Sequence, residues 1–158
     1  MDTPLFTPRP IGFVHTPYKD TSAIPKGLGA QHKAEGSIEI LPEFEQGLLD
    51  IEGFSHLFIL WVFHHSEGFE LQGAPPGEPE PHGVFATRSP RRPNPLGLTL
   101  VKLVRREGAR LHLYGVDMLD GTPVLDIKPC MSAIPADILT RGWLEEAERR
   151  RGQEKREG

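Results

Sequence analysis

The stretch from Leu96 to Val116 reads LGLTLVKLVRREGARLHLYGV and contains two apolar runs in close succession. Leu96 to Val104 and Arg110 to Val116 are rich in leucine and valine, and Arg105 to Ala109 between them holds charged residues and a glycine. Apolar runs bounded by turn residues are typical of β-strands. We therefore predict that this stretch forms a β-hairpin.

The most apolar segment lies upstream, at Ser55 to Phe63. Its aromatic and branched residues favour a strand that is buried on both faces, although periodicity alone also permits a helix. Further strands are predicted at Pro10 to His15, His32 to Leu41, Gly83 to Thr87 and Thr122 to Ile127. Helices are predicted at Pro42 to Glu52 and Pro135 to Arg151, and loops at Tyr18 to Gln31, Glu67 to His82 and Arg88 to Pro95. Many short strands with few helices indicate a mainly β fold, either a closed or a nearly closed barrel.

Length and composition suit one domain over the 158 residues, with a core at about 10–133 and a charged helix and tail at 135–158. Cys130 is the single cysteine, so no internal disulfide can form, and no apolar run is long enough to span a bilayer. We therefore expect a cytoplasmic protein without a membrane partner. The net charge of -4 argues against a general nucleic-acid coat protein but allows a local basic site.

Three arginines lie within five residues of one another and are framed by prolines, in the segment Arg88-Ser89-Pro90-Arg91-Arg92-Pro93-Asn94-Pro95. Proline restricts its own backbone and that of the residue before it, so this arginine loop is predicted to be rigid. A guanidinium presents a planar fork of donors that suits a carboxylate or a phosphate. An anion site and a merely solvated turn are both consistent with the pattern.

Three carboxylates surround a turn further along the chain, at Asp117, Asp120 and Asp126. Asp120 precedes Gly121, and this pair alone is explained by an ordinary tight turn. Asp126 lies within an apolar strand, where a buried carboxylate needs a partner. A functional carboxylate group and a structural turn both remain open.

Two adjacent histidines, His64 and His65, follow the most apolar segment. Imidazoles titrate near neutrality and can move protons. A metal site that uses them together with His82 is disfavoured, because adjacent strand residues point to opposite faces. We expect no metal ion. Glycine-rich dinucleotide and phosphate-loop motifs are absent from the sequence.

Four segments resemble, in the same order, those of the TrmO (TsaA-like) family. They are Ile11 to Lys19 (IGFVHTPYK), Gly53 to Leu57 (GFSHL), Gly83 to Gly97 and Asp117 to Pro129, within a resemblance that covers about residues 10–133. The resemblance implies a single-sheet β-barrel with short helices that works as a homodimer. It implies a methyltransferase that uses S-adenosyl-L-methionine to methylate N6 of threonylcarbamoyl-adenosine beside the anticodon of tRNA.

The family's contacts to the methyl donor carry over onto matching positions. These are Pro25, Lys26, Gly27, His64, His65, Arg88, Leu98, Asp117, Met118, Leu119 and Asp120. Relatives have Pro-Arg-Gln where this chain has Pro25-Lys26-Gly27, and often His-Gln where it has His64-His65. Longer bacterial relatives add a C-terminal domain that helps to hold tRNA, whereas here only a helix and charged tail are expected.

Chemistry suggests roles beyond donor binding. The acceptor nitrogen must lose a proton, and the candidate catalytic bases are His64, His65 and Asp120. Arg91, Arg92 and Lys128 are candidates to meet tRNA phosphates. Three alternatives remain: a methyltransferase acting on another RNA or a small molecule, an RNA-binding β-barrel without catalysis, and a metal-dependent hydrolase, the last lacking clean ligand spacing.

Overall fold

The computed structural model describes residues 6–158 and contains a closed antiparallel β-barrel. The barrel strands are β1 (Gly12–His15), β2 (Ala34–Ile40), β3 (His56–Val62), β6 (Leu96–Glu107), β7 (Arg110–Val116) and β8 (Pro123–Pro129). Their order around the barrel is β1-β2-β7-β6-β3-β8, and β8 pairs with β1 to close it. A small hairpin, β4 (Gln72–Gly73) with β5 (His82–Gly83), lies outside the barrel sheet. A helix, α1 (Trp143–Glu157), follows β8 in the chain.

Strand alternation builds the barrel core. In β3 the buried residues are Leu57, Ile59 and Trp61, while their neighbours along the strand are more exposed. Burial of one aliphatic side chain of this size contributes about 1.5–3 kcal/mol. The core cluster also includes Val14, Ile38, Ile40, Leu48, Val101, Leu103, Leu111, Leu113, Val116, Met118 and Val124. Every barrel strand therefore contributes to one interior.

The mainly β fold, the closed barrel and the C-terminal helix are confirmed. The segment Ser55 to Phe63 is a strand rather than a helix, since it pairs with β6 on one side and β8 on the other. Its predicted burial on both faces is wrong, because only one face of β3 points into the core and the other is half-buried. The predicted hairpin is also present, but β6 runs on to Glu107 and the turn is shorter than expected. A register shift between Leu103 and Arg105 lets β6 continue past the predicted turn.

Several predicted elements differ from the structure. The loop predicted at Glu67 to His82 contains β4 and the first residue of β5. Pro42 to Glu52 forms two 3₁₀ segments, Pro42–Leu48 and Ile51–Gly53, because Asp50 adopts a left-handed backbone with φ of 68°. The strand predicted at Gly83 to Thr87 is wrong, since β5 ends at Gly83 and a 3₁₀ turn follows it.

The C-terminal helix begins at Trp143 instead of Pro135 and ends at Glu157 instead of Arg151. Gly142 precedes it with φ of 53°, a conformation that interrupts a continuous helix. Within residues 6–158, no helix combines the length and apolarity required to cross a bilayer.

The antiparallel order brings six chain segments to one end of the barrel. β1, β3 and β7 finish there, and β2, β6 and β8 begin there. We call it the His64 end, because His64 follows β3 directly. The opposite end holds the β6–β7 turn and the 3₁₀ segments after β2.

Close contact between a tryptophan and a glycine fixes the packing of β3 on β6. Gly97 is paired with Trp61, and a Cβ added to Gly97 would lie 2.2 Å from Cε2 of Trp61. The Trp61 side chain is buried, and its Nε1 donates to Oγ1 of Thr99 at 3.0 Å. The indole therefore has little room to move.

We expect Gly97→Ala to lower the free energy of unfolding by about 1–3 kcal/mol, because the added methyl overpacks the core. Urea denaturation of the variant measures the effect. Gly53→Ala is the matched control, since no atom lies within 4 Å of its added Cβ. Equal stability of the two variants would mean that the Trp61 contact is not a constraint.

Candidate functional site

The arginine loop is tied to the segment that follows β3. The backbone N–H of Phe63 donates to the carbonyl of Pro95 at 2.8 Å, and Oγ of Ser66 donates to the carbonyl of Pro90 at 2.9 Å. His64 and His65 lie between these two attachments, and their rings are 4.0 Å apart. The histidine pair and the arginine loop thus form one unit at the His64 end.

Within this unit, the pKa of His64 is below its usual value. Partial burial of the ring is the main cause, and the adjacent charge of His65 adds to it. Both effects disfavour the imidazolium. His64 is therefore suited to act as a neutral proton acceptor near pH 7.

The three arginines of the loop have different environments. Arg92 is half-buried, and its Nη1 donates to the carbonyls of Thr87 at 3.1 Å and Ser89 at 3.2 Å, so it stabilises the loop itself. Arg91 faces Glu70 across 3.3 Å, and both side chains are more than half exposed. The Arg88 side chain is exposed and has no hydrogen bond or ion pair with any other residue in the range 6–158. Arg88 is thus the member with an available donor fork.

The segment that leaves β7 is held by hydroxyl groups. Oγ1 of Thr99 donates to Oδ1 of Asp117 at 2.6 Å, which extends the hydrogen bond from Trp61. Oγ1 of Thr16 donates to the carbonyl of Met118 at 2.9 Å, and the Met118 side chain is fully buried. Met118 therefore anchors this segment in the barrel core, whereas Asp117 presents an oriented carboxylate.

Asp120 joins the turn before β8 to the segment after β1. Its Oδ1 accepts from the N–H of Thr16 at 3.1 Å, and its Oδ2 accepts from Nζ of Lys19 at 2.6 Å. The hydrogen bond from Lys19 is the main cause of a pKa below the usual range, and the bond from Thr16 reinforces it. Because both oxygens are engaged, Asp120 is a weaker proton acceptor than His64.

Other predicted positions lie around or away from this end. The Pro25–Gly27 segment is exposed, and a Cβ on Gly27 would lie 3.3 Å from the carbonyl oxygen of Pro76. Leu98 is on the outer face of β6, with 45% of its surface exposed.

Lys128 lies outside the group at the His64 end. It sits five residues after Pro123 on β8, roughly 16 Å along the strand at ~3.3 Å per residue. Nζ of Lys128 pairs with Oδ2 of Asp126 at 3.1 Å. Asp126 is itself 47% exposed, so it is a surface carboxylate and not the buried one that the apolar strand suggested.

Thr16, Lys19 and Thr99 were not singled out from the sequence, although they hold the acidic segment in place. One signal was available for Thr99, since a hydroxyl at an inward position of an alternating strand needs a buried partner. Among residues 6–158, no three histidine, cysteine or carboxylate side chains are grouped so as to hold a metal ion. Together the residues at this end offer an available cationic fork, an oriented carboxylate and an imidazole pair.

The family profile described as "tRNA-methyltransferase O N-terminal domain" matches residues 13–136. A probable S-adenosyl-L-methionine-binding protein of Pyrococcus abyssi is 46% identical over 138 residues, which are 87% of this chain and 75% of that protein. The tRNA (adenine(37)-N6)-methyltransferase of Escherichia coli is 40% identical over an alignment of 129 residues that covers 75% of this chain and 55% of that enzyme.

The crystal structure of TrmO from Pseudomonas aeruginosa superposes with a TM-score of 0.69 at 37% identity. The match covers 87% of this chain and 62% of that one, so the chain spans less than two thirds of the solved relative. The family match covers both the arginine loop and the acidic turn that meet at the His64 end. The chain therefore belongs to the tRNA-methyltransferase O family.

Proposed function

We propose that the protein transfers a methyl group from S-adenosyl-L-methionine to an adenine in tRNA. The probable S-adenosyl-L-methionine-binding protein of Pyrococcus abyssi and the tRNA methyltransferase of Escherichia coli support the donor and the substrate class, respectively. The observation that carries the proposal is the meeting of the arginine loop, the histidine pair and the acidic turn at one end of the barrel. N6 of threonylcarbamoyl-adenosine beside the anticodon is the acceptor that we propose in particular.

The donor is a zwitterion with a sulfonium cation and a carboxylate, and the residues at the His64 end complement both charges. Arg88 offers the fork for the carboxylate. The backbone and carboxylates from Asp117 to Asp120 lie toward the cation and the polar periphery. Pro25 to Gly27, the histidine pair and Leu98 complete the proposed contacts. The acidic segment and the histidine pair are attached to barrel strands, so they align the donor before the reaction.

Methyl transfer is an in-line displacement. The acceptor nitrogen forms a bond to the methyl carbon while the carbon–sulfur bond breaks. The electron pair of the broken bond stays on sulfur, which gives S-adenosylhomocysteine. The acceptor nitrogen belongs to a urea-like group, so loss of its proton makes it nucleophilic. We propose His64 as the proton acceptor, ahead of His65 and of the hydrogen-bonded Asp120.

Positive side chains near the donor site would meet tRNA phosphates. Arg91 is the most available of the proposed set, since its ion pair with Glu70 is exposed and weak. Arg92 acts mainly by keeping the loop in shape, and Lys128 would reach only a distant part of the RNA. A cytoplasmic location, where tRNA is modified, accords with the single cysteine.

A homodimer is the proposed working form, because the barrel has an apolar patch on its outer face. Leu96, Leu98 and Leu100 on β6 are 45–47% exposed. They pair directly with half-buried Val62, Leu60 and Phe58 on β3. Polar Asp126 and Lys128 flank this patch on β8. An apolar centre with a polar rim is typical of an interface, and covering Leu98 would bring the second copy next to the donor site.

The function is tested by donor binding. We expect calorimetry to show binding of S-adenosyl-L-methionine to the unaltered protein, and Arg88→Ala to weaken it about ten- to hundredfold, the loss of one charge-assisted contact. Arg105→Ala is the control, because Arg105 is an exposed arginine of the far hairpin that pairs with Glu107 at 2.7 Å.

Mass spectrometry of nucleosides then identifies the acceptor after incubation of tRNA with donor and protein. A new N6-methylated adenine nucleoside supports the proposal. Donor binding with unmodified tRNA would indicate another acceptor. RNA binding without any donor binding would make the protein a non-enzymatic RNA-binding barrel.

The role of His64 predicts a pH dependence. Because its pKa lies below the ordinary 6.5, the neutral base predominates at pH 7, and the rate falls only as the pH drops through that lowered pKa. His64→Gln should reduce the methylation rate by about 10²–10⁴-fold and remove the acidic limb of the profile. The control is His56→Gln, because His56 is an exposed histidine at the opposite end of the barrel. This variant should leave the methylation rate and its pH profile unchanged. An unaltered methylation rate and pH profile in His64→Gln would exclude His64 as the proton acceptor.

The dimer is tested by sedimentation at assay concentration. Leu100→Glu places a charge within the apolar patch and should yield monomers. Val104→Glu is the control, since Val104 is an exposed residue of the same strand beyond the patch. A monomeric unaltered protein, or a dimer that tolerates Leu100→Glu, would contradict this interface.

A further inference from the structure

Four residues of α1 share one helix face. Ala147 lies four residues after Trp143, Arg150 lies three residues after Ala147, and Arg151 comes next. These spacings place the four side chains along one side of the helix. Ala147 is 2% exposed and is the buried residue of the helix. A short, highly charged helix is marginal in isolation, so its order depends on what this face contacts. We call these four residues the clamp face.

The clamp face first contacts the hairpin loop that precedes the arginine loop. The Trp143 ring stacks on His82 with centroids 4.1 Å apart and an angle of 12°. Nη2 of Arg150 donates to Oε1 of Glu78 at 2.7 Å, and the Glu78 side chain is only 2% exposed. A buried carboxylate with a cationic partner is costly to separate, so this contact anchors the helix.

A second contact reaches Leu28, the residue that follows Pro25 to Gly27, the segment that the proposed function assigns to donor binding. A guanidinium N–H of Arg151 donates to the carbonyl of Leu28. Arg151 also adjoins the next turn, since a Cβ on Gly77 would lie 2.6 Å from its Nη2. Arg151 therefore lies between Pro25–Gly29, which we call the donor loop, and the turn at Gly77.

The donor loop has few internal contacts. Its residues are largely exposed, and the backbone bond from the N–H of Ala30 to the carbonyl of Gly27 is 3.3 Å long. Gly27 and Gly29 both adopt left-handed backbones, with φ of 85° and 77°. Glycine in such a loop loses much conformational entropy when it is ordered. Contacts from outside the loop must compensate that loss.

A third contact extends toward the arginine loop. Nε1 of Trp143 donates to the carbonyl of Ala86 at 2.9 Å, and Ala86 stands two residues before Arg88. The clamp face thus contacts the donor loop at one end and, at the other, the segment that precedes Arg88 in the chain. These two segments are far apart in the sequence, and α1 bridges them.

We propose that α1 is a positioning clamp for the methyl donor. Arg151 holds the donor loop in its binding shape, and Trp143 together with Arg150 fixes the helix from which Arg151 extends. The clamp residues act through the loop rather than by touching the donor. This inference rests on the proposed donor site, and it adds α1 as a determinant of donor affinity.

The test is Arg151→Met, which keeps the apolar stem and removes the guanidinium. We expect the affinity for S-adenosyl-L-methionine to fall about tenfold, the loss of about one hydrogen bond's stabilisation. The methylation rate at saturating donor should stay unchanged, because the reacting groups are intact. Amide hydrogen exchange at Leu28 to Ala30, measured without donor, should become faster. Arg151→Lys, which retains a donor, should restore part of the affinity.

Arg149→Met is the matched control. Arg149 is an exposed arginine of the same helix whose Nε donates to the carbonyl of Glu145 within α1. It should leave donor affinity and loop exchange unchanged. Equal donor affinity of the two variants, or weaker binding by Arg151→Met without faster loop exchange, would overturn the clamp. Absence of donor binding by the unaltered protein would instead overturn the proposed function, and the exchange measurement would still decide whether Arg151 orders the loop.

Discussion

Closure of the barrel between β1 and β8 is the constraint on which the rest of the structure depends. The two strands are paired in register at only two positions, Gly12 with Val124 and Phe13 with Pro123. The turn before β8 strengthens this short seam, because the N–H of Gly121 donates to the carbonyl of Val14 at 2.7 Å and Asp120 accepts from Thr16. The turn that closes the barrel is therefore also the acidic segment of the proposed site. Its geometry at the site is set by the fold and does not depend on a ligand.

Local residue content predicted the strands, and long-range contacts decided the rest. The apolar, branched and aromatic content of β3 and β6 favoured strands, but it did not reveal which face is buried, since Leu98 points outward and Thr99 inward. The segment after Gly83 looked like a strand, but its end is held by Trp143, which lies 57 residues away from Ala86 in sequence. A contact of that separation leaves no local trace. The start of α1 was misplaced for a local reason, since Gly142 directly precedes the helix with a φ of 53°.

The site was predictable as a set of segments but not as a division of roles. Residue types singled out the arginine loop and the acidic turn, and family resemblance assigned them a ligand. It could not reveal that Arg92 stabilises the loop's own carbonyls while Arg88 is available, because that difference lies in side-chain contacts. It likewise could not show that Lys19 lowers the pKa of Asp120. Residues of equal chemical type acquire different roles once the backbone has folded.

The left-handed backbone of Gly27 and the clamp by α1 have one physical explanation. Glycine accepts the left-handed backbone found at this position, and the absence of a Cβ allows close approach to the carbonyl of Pro76. That approach brings the donor loop beside the turn against which Arg151 lies. A larger residue at position 27 would be strained in this conformation and would push the loop away from the turn. An arginine of α1 thus reaches this glycine-containing loop and donates to its backbone.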